Sequence, residues 1–184
     1  MNSILDLDAR LSSQMRVAEK PGALRAISVF FAHSGDSWFW AIGLFAIWIS
    51  GDSFWKQWAI LQFASISFLA AMVLAIKFSI RRKRPEGNWG QIYRYTDPHS
   101  FPSGHAARAF LIATIAIGLG PAWLAIVLWI WAPLVALARV AMGVHYLSDI
   151  VAGAVLGILI AFIALQVYLP LFSWIFKLIG FSLW

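Results

Sequence analysis

No cysteine occurs in the 184 residues. Disulfides, thiolate nucleophiles and thiolate-bound zinc are therefore excluded, and covalent chemistry falls to serine, histidine, aspartate or lysine. Charge is scarce as well: 12% of residues are charged and 61% apolar, against about a quarter charged in soluble domains. A bilayer is the solvent that suits such a composition. Lys and Arg outnumber Asp and Glu by 14 to 8. Much of that excess sits in one run, KFSIRRKRP at 77–85, directly behind an apolar segment. A nucleic-acid partner needs a spread basic face and is not expected. The first twenty residues lack an unbroken apolar stretch and carry Asp6, Asp8, Arg10, Arg16, Glu19 and Lys20, so they do not read as a cleavable secretion signal. Ile4, Leu7, Leu11 and Met15 recur there at helical spacing, which predicts an amphipathic helix within 1–22 lying on the bilayer surface.

Long uncharged runs supply the rest of the plan, an all-α polytopic membrane bundle in one domain, 1–184. A first span is expected over 37–51, continuing backwards past Asp36 into AISVFFAHSG, and a second over 57–76. Residues 109–138 form a run broken by GLGP, which reads as a hairpin of two spans. The run 150–169 gives a fifth, with Gly153 and Gly157 as a small-residue packing face. The tail 170–184 reads as interfacial, or as a partial sixth span. Two spans need about 40 residues, so the hairpin helices must extend past Arg108 and Arg139. Ionisable groups at that depth point to a wet, paired interior and hence to a functional site.

With alternating span direction, four charged clusters share one membrane face: Lys77 with Arg81 to Arg84, Ser103 to Arg108, Arg139, and His145 with Asp149. Lys77, Arg84 and Arg139 are three cations beside a helix start whose N–H groups are free, a site for a dense anion. Ser103 is a plausible N-cap and hydroxyl donor, and Gly104 lets the backbone approach a ligand. Phosphate matches arginine forks best. His145 and Asp149, four apart on a helix, share a face, so the carboxylate holds one ring nitrogen and frees the other to attack phosphorus. His105 is placed to protonate the departing oxygen. A metal held by His99, His105, His145 and Asp149 is the rival reading, opposed by the surrounding cations. No cofactor or metal is expected. Arg81, Arg82 and Lys83 read as topology anchors or lipid-headgroup contacts, and His33 and His99 as surface or interface residues. The loop between Pro85 and Ser100, with Glu86, Arg94 and Asp97, is expected to cover the site.

These residues resemble the type 2 phosphatidic acid phosphatases, lipid phosphate phosphatases related to the vanadium haloperoxidases. KFSIRRKRP is similar to the family's first motif, PSGH to its second, and ARVAMGVHYLSD to its third. The resemblance implies Lys77, Arg84, Ser103, Gly104 and Arg139 as phosphate ligands, His145 as nucleophile, His105 as general acid and Asp149 as the partner that orients His145. One departure is Ala138, where the third motif usually has serine. The family's bacterial members act on undecaprenyl diphosphate, phosphatidylglycerol phosphate, phosphatidic acid or lipid A. The short chain with a surface helix looks most like the undecaprenyl diphosphate enzymes. A cell-membrane location with an extracytoplasmic catalytic face is also implied, although counting positive charges places that face in the cytoplasm. The non-enzymatic alternative is an anion or lipid transporter using the same cationic pocket.

Overall fold

The computed structural model describes residues 2–87 and 89–179. Every regular element among them is a helix: α1 (Asn2–Gln14), α2 (Ala23–Ser34), α3 (Ser37–Ser50), α4 (Ser53–Ile80), α5 (Gln91–Thr96), α6 (Gly104–Leu119), α7 (Ala122–Ala141) and α8 (Leu147–Ile179). The stretches Ser53–Ile80, Ala122–Ala141 and Leu147–Tyr168 are long and apolar enough to cross a membrane, whereas α3 and α6 are apolar but shorter. At 16 residues, α6 rises roughly 24 Å, less than the ~30 Å hydrocarbon core.

That short helix is the centre of the bundle. Ala106, Ala107, Ala109, Leu111, Ile112, Ala113, Ile115 and Ala116 bury it on all sides, as a helix apolar all round requires. It packs on α8, α7 and α4. The small-residue face expected in 150–169 is the one α8 seats on it. A Cβ on Gly153 would stand 2.5 Å from the Ser103 carbonyl oxygen, and one on Gly157 2.0 Å from that of Ala107. Outward-facing Phe63, Phe68, Ile126, Ile130 and Ile163 form the apolar exterior.

The elements depart from the sequence reading in three places. The first span does not run back through Asp36, because the chain breaks at Gly35–Asp36 into α2 and α3. The carbonyls there are taken by side chains instead of a helical ladder: Arg108 donates to the Gly35 oxygen, and Trp40 Nε1 to that of Ser34 at 3.1 Å. The surface helix stops at Gln14, well before residue 22, and residues 15–22 turn the chain inward, with Val17 N–H bonded to the Ala141 oxygen at 2.8 Å. The tail is not separate either, since α8 continues through Pro170 to Ile179. Proline removes one backbone bond from an otherwise apolar helical run, which is compatible with continuation. Residues 180–184 and the Arg94 side chain lie outside what is described.

Candidate active site

A turn after α7, with Gly143 at φ 68°, delivers His145 to the mouth of the bundle. The ring is buried, with Nδ1 3.3 Å from Asp149 Oδ2 and Nε2 3.0 Å from Arg84 Nη1. A guanidinium only donates, so Nε2 is the acceptor and the ring proton lies on Nδ1, facing the carboxylate. This tautomer keeps the Nε2 lone pair free of a proton. Burial first, then the cations Arg84, Arg139 and Lys77, hold the imidazole well below its ordinary titration range.

Asp149 is fixed from both sides. Its Oδ2 also accepts the Tyr146 N–H at 2.9 Å, and its Oδ1 accepts Arg82 Nη1 at 2.8 Å. Arg82 further donates to Ser148 Oγ at 2.6 Å and to Asp8 Oδ2 at 2.8 Å, and its guanidinium lies 4.0 Å from the Tyr146 ring centroid. Asp8 in turn accepts the Ser148 N–H at 3.1 Å, while Ser12 Oγ accepts that of Leu147 at 2.9 Å. Arg82 is thus no headgroup anchor. It joins α1 to the carboxylate beside His145, so the polar face of α1 is docked on α8 while Ile4, Leu5, Leu7 and Leu11 face outward.

Lys77 and Arg84 already hold an anion. Asp97, brought over the site by the loop that contains α5, accepts from Lys77 Nζ at 2.5 Å and from Arg84 Nη2 at 2.7 Å through the same Oδ2. The base of that loop is pinned by a bridge between Lys83 and His99 and by Ser100 N–H on the Arg82 oxygen at 2.8 Å. Arg139 is fully buried, with Nη1 3.3 Å from the Ala32 oxygen, its guanidinium 4.5 Å from the Tyr93 ring centroid, and Nε without an acceptor among the described residues. Ser103 caps α6, its Oγ accepting from Ala106 N–H at 3.4 Å. A Cβ at Gly104 would meet only Val73, at 3.6 Å. A cavity of about 220 Å³ runs from an apolar stretch of α4, Ile66 to Leu74, to a polar end formed by Lys77, Asp97, Gly104, His105 and Arg108.

His105 opens onto that cavity, and its Nε2 lies 2.7 Å from Asp36 Oδ1. The edge-on Tyr93 ring is 6.1 Å away, centroid to centroid. His33, read from sequence as a surface or interface residue, is half exposed and also pairs with the other Asp36 oxygen at 3.1 Å. His99 gives its backbone oxygen to Lys77 and its ring to Phe78. Of the eight expected residues, Lys77, Gly104 and His105 line that cavity, and His145 borders a separate smaller one. Hydrogen bonds link Lys77 and Arg84 through Asp97, Arg84 to His145, and His145 to Asp149. To these groups the structure adds Asp36, Tyr93, Arg82 and Asp8. Of these, Asp36 carried a visible signal. It is the one acidic residue between Lys20 and Gly51, set in an apolar stretch.

A family model described as the PAP2 superfamily matches residues 58–173. The chain is 30% identical over 109 residues to lipid A 1-phosphatase of Porphyromonas gingivalis, an alignment covering 58% of this chain and 23% of that protein. It is 37% identical over 108 residues to undecaprenyl-diphosphatase of Sulfolobus acidocaldarius, covering 55% and 52%. A probable lipid phosphate phosphatase beta of Arabidopsis thaliana is 32% identical over 120 residues, covering 50% and 56%. The chain thus spans from about a quarter to about half of these relatives' lengths. Among solved structures, LpxE of Aquifex aeolicus superposes with a TM-score of 0.71 at 26% identity, over 87% of this chain and 95% of that one. A transmembrane PAP2-type phosphatidylglycerolphosphate phosphatase from Bacillus subtilis shares the fold, with a TM-score of 0.69 at 24% identity over 89% and 85%. With this fold and its apolar crossing helices, the chain is an integral membrane protein.

Proposed function

The chain belongs to the PAP2 superfamily, and from that premise we propose that it hydrolyses a membrane lipid phosphate or diphosphate through a phosphohistidine. His145 Nε2 attacks phosphorus, and the phosphoryl group passes to it as the bond to the leaving oxygen breaks, a lipid alkoxide oxygen in a monoester and the bridging oxygen of a lipid monophosphate in a diphosphate. His105 gives that oxygen its proton. Water then attacks the phosphohistidine, releasing phosphate and restoring the ring. Lys77, Arg84, Arg139, Ser103 and the backbone at Gly104 carry the charge on the phosphoryl oxygens. The observation that carries this reading is the anion already held by Lys77 and Arg84, beside a ring nitrogen kept unprotonated and facing a donor. A pocket that only binds or conducts has no need of such a nitrogen.

The apolar stem of the cavity along α4 suits a lipid tail leading to the phosphate. Undecaprenyl diphosphate is the favoured substrate within the lipid phosphates, and the favoured setting is a cell membrane with the site on its extracytoplasmic face. Purified protein is expected to release phosphate in EDTA when offered undecaprenyl diphosphate, phosphatidylglycerol phosphate, phosphatidic acid and lipid A in turn, fastest with the first. His145→Ala should abolish release, and full activity of that variant would refute the mechanism.

A further inference from the structure

The turn between α2 and α3 is built more firmly than a connection requires. Arg108 Nε and Nη2 both donate to the Gly35 oxygen, and Nη1 donates to Ser37 Oγ at 2.6 Å. Trp131 Nε1 donates to Ser34 Oγ at 2.9 Å and Trp40 Nε1 to the Ser34 oxygen at 3.1 Å. Gly35 is pressed against its surroundings: a Cβ there would stand 2.8 Å from Val135 Cγ1 and 3.3 Å from His105 Cδ2. These contacts grip the residues on both sides of Asp36.

Asp36 itself stands at the N-cap of α3 but makes no capping bond with its side chain. An N-cap aspartate ordinarily turns its carboxylate onto the free N–H groups of the first turn. Here the oxygens go to two imidazoles, Oδ1 to His105 Nε2 at 2.7 Å and Oδ2 to His33 Nδ1 at 3.1 Å. The sequence has forgone a cap to place an anion against His105.

A proton donor must hold its proton before giving it. Among the described residues, the charged and titratable groups around His105 are Arg108 on its own helix, Arg139 from α7, Tyr93 from α5 and Asp36 from the α2–α3 turn, with Lys77 and Asp97 across the shared cavity. Positive groups crowd an imidazolium, and Asp36 is the anion bonded directly to it. We propose that Asp36 is a positioning residue for the general acid, fixing the His105 ring and sustaining its protonated form, with Arg108 holding the turn that carries it. The chain then contains two His–Asp pairs of opposite purpose. Asp149 steadies a ring that must be unprotonated, and Asp36 steadies one that must be protonated.

This inference rests on the phosphatase reading, so wild-type protein is assayed in the same experiment. Two substrates separate the roles: phosphatidic acid, a monoester whose alkoxide leaving group needs a proton, and p-nitrophenyl phosphate, whose phenolate does not. Asp36→Asn should lower kcat on the lipid by about tenfold or more. It should move the alkaline limb of kcat to lower pH and leave p-nitrophenyl phosphate turnover within about twofold. His33→Ala is run beside it in case Asp36→Asn fails to fold. Leaving Asp36 wholly to His105, it should move the same limb to higher pH. Equal losses on both substrates in folded Asp36→Asn protein, or an alkaline limb unmoved in the variants that fold, would overturn the proposal. An inactive wild type would instead sink the phosphatase reading itself.

Discussion

Arg84 donates to the nitrogen assigned to attack phosphorus, and that bond has a consequence for pH. In the proposed mechanism His145 reacts only as the neutral ring. Burial and the nearby cations lower its proton affinity, so the neutral form persists below the ordinary value of about 6.5. The acid limb of kcat/KM, which reports the free enzyme, is therefore expected below that value. Bound phosphate brings negative charge and opposes the cations, which raises the proton affinity of the ring. The acid limb of kcat should accordingly lie at higher pH than that of kcat/KM, and pH-rate profiles on one lipid substrate will check the order. Asp97 supplies a second prediction. Its carboxylate competes with phosphate for Lys77 and Arg84, so Asp97→Asn should tighten inhibition by inorganic phosphate on the order of tenfold. An unchanged inhibition constant would mean that the two cations do not meet phosphate.

Elements made of unbroken apolar runs were legible from sequence, because length and hydropathy alone specify α4, α7 and the apolar part of α8. The eight expected site residues were named for a different reason: they sit in three motifs whose spacing is local. What escaped was long-range. Arg82 meets Asp8 across 74 positions and Asp149 across 67, and no periodicity connects them. Asp36 and His105 are 69 apart, in segments that read as one continuous span and one helix start. The break at Gly35 was hidden because its cause is Arg108, which belongs to another helix. Docking of α1 on the His–Asp pair carries its own test. Arg82→Gln should lower kcat by about tenfold to a hundredfold with little change in KM, since it disturbs the orientation of His145 and leaves the phosphate ligands in place. Equal effects on kcat and KM would show that Arg82 meets substrate.

Taken as a whole, the molecule gathers Lys77, Arg82, Arg84, Arg108 and Arg139 at one end, and these cations are occupied by Asp8, Asp97, Asp149 and backbone oxygens. A charge engaged in this way is poor evidence of topology, which is why counting arginines puts the catalytic face in the cytoplasm while the family resemblance puts it outside. Reporter fusions at Met1 and Trp184 are expected to support the extracytoplasmic assignment. The close seat of α8 on α6 settles where the enzyme has room to adapt. With Gly153 and Gly157 bringing backbone against backbone and the Ser103 N–H on the Asp149 oxygen at 3.0 Å, the PSGH helix and the His145–Asp149 pair share one stiff frame. The loop that carries α5 is not part of that frame, so differences in lipid head are expected to be met there. Exchanging that loop between relatives is expected to change the order of preference in a lipid phosphate panel while leaving the effect of His145→Ala unchanged.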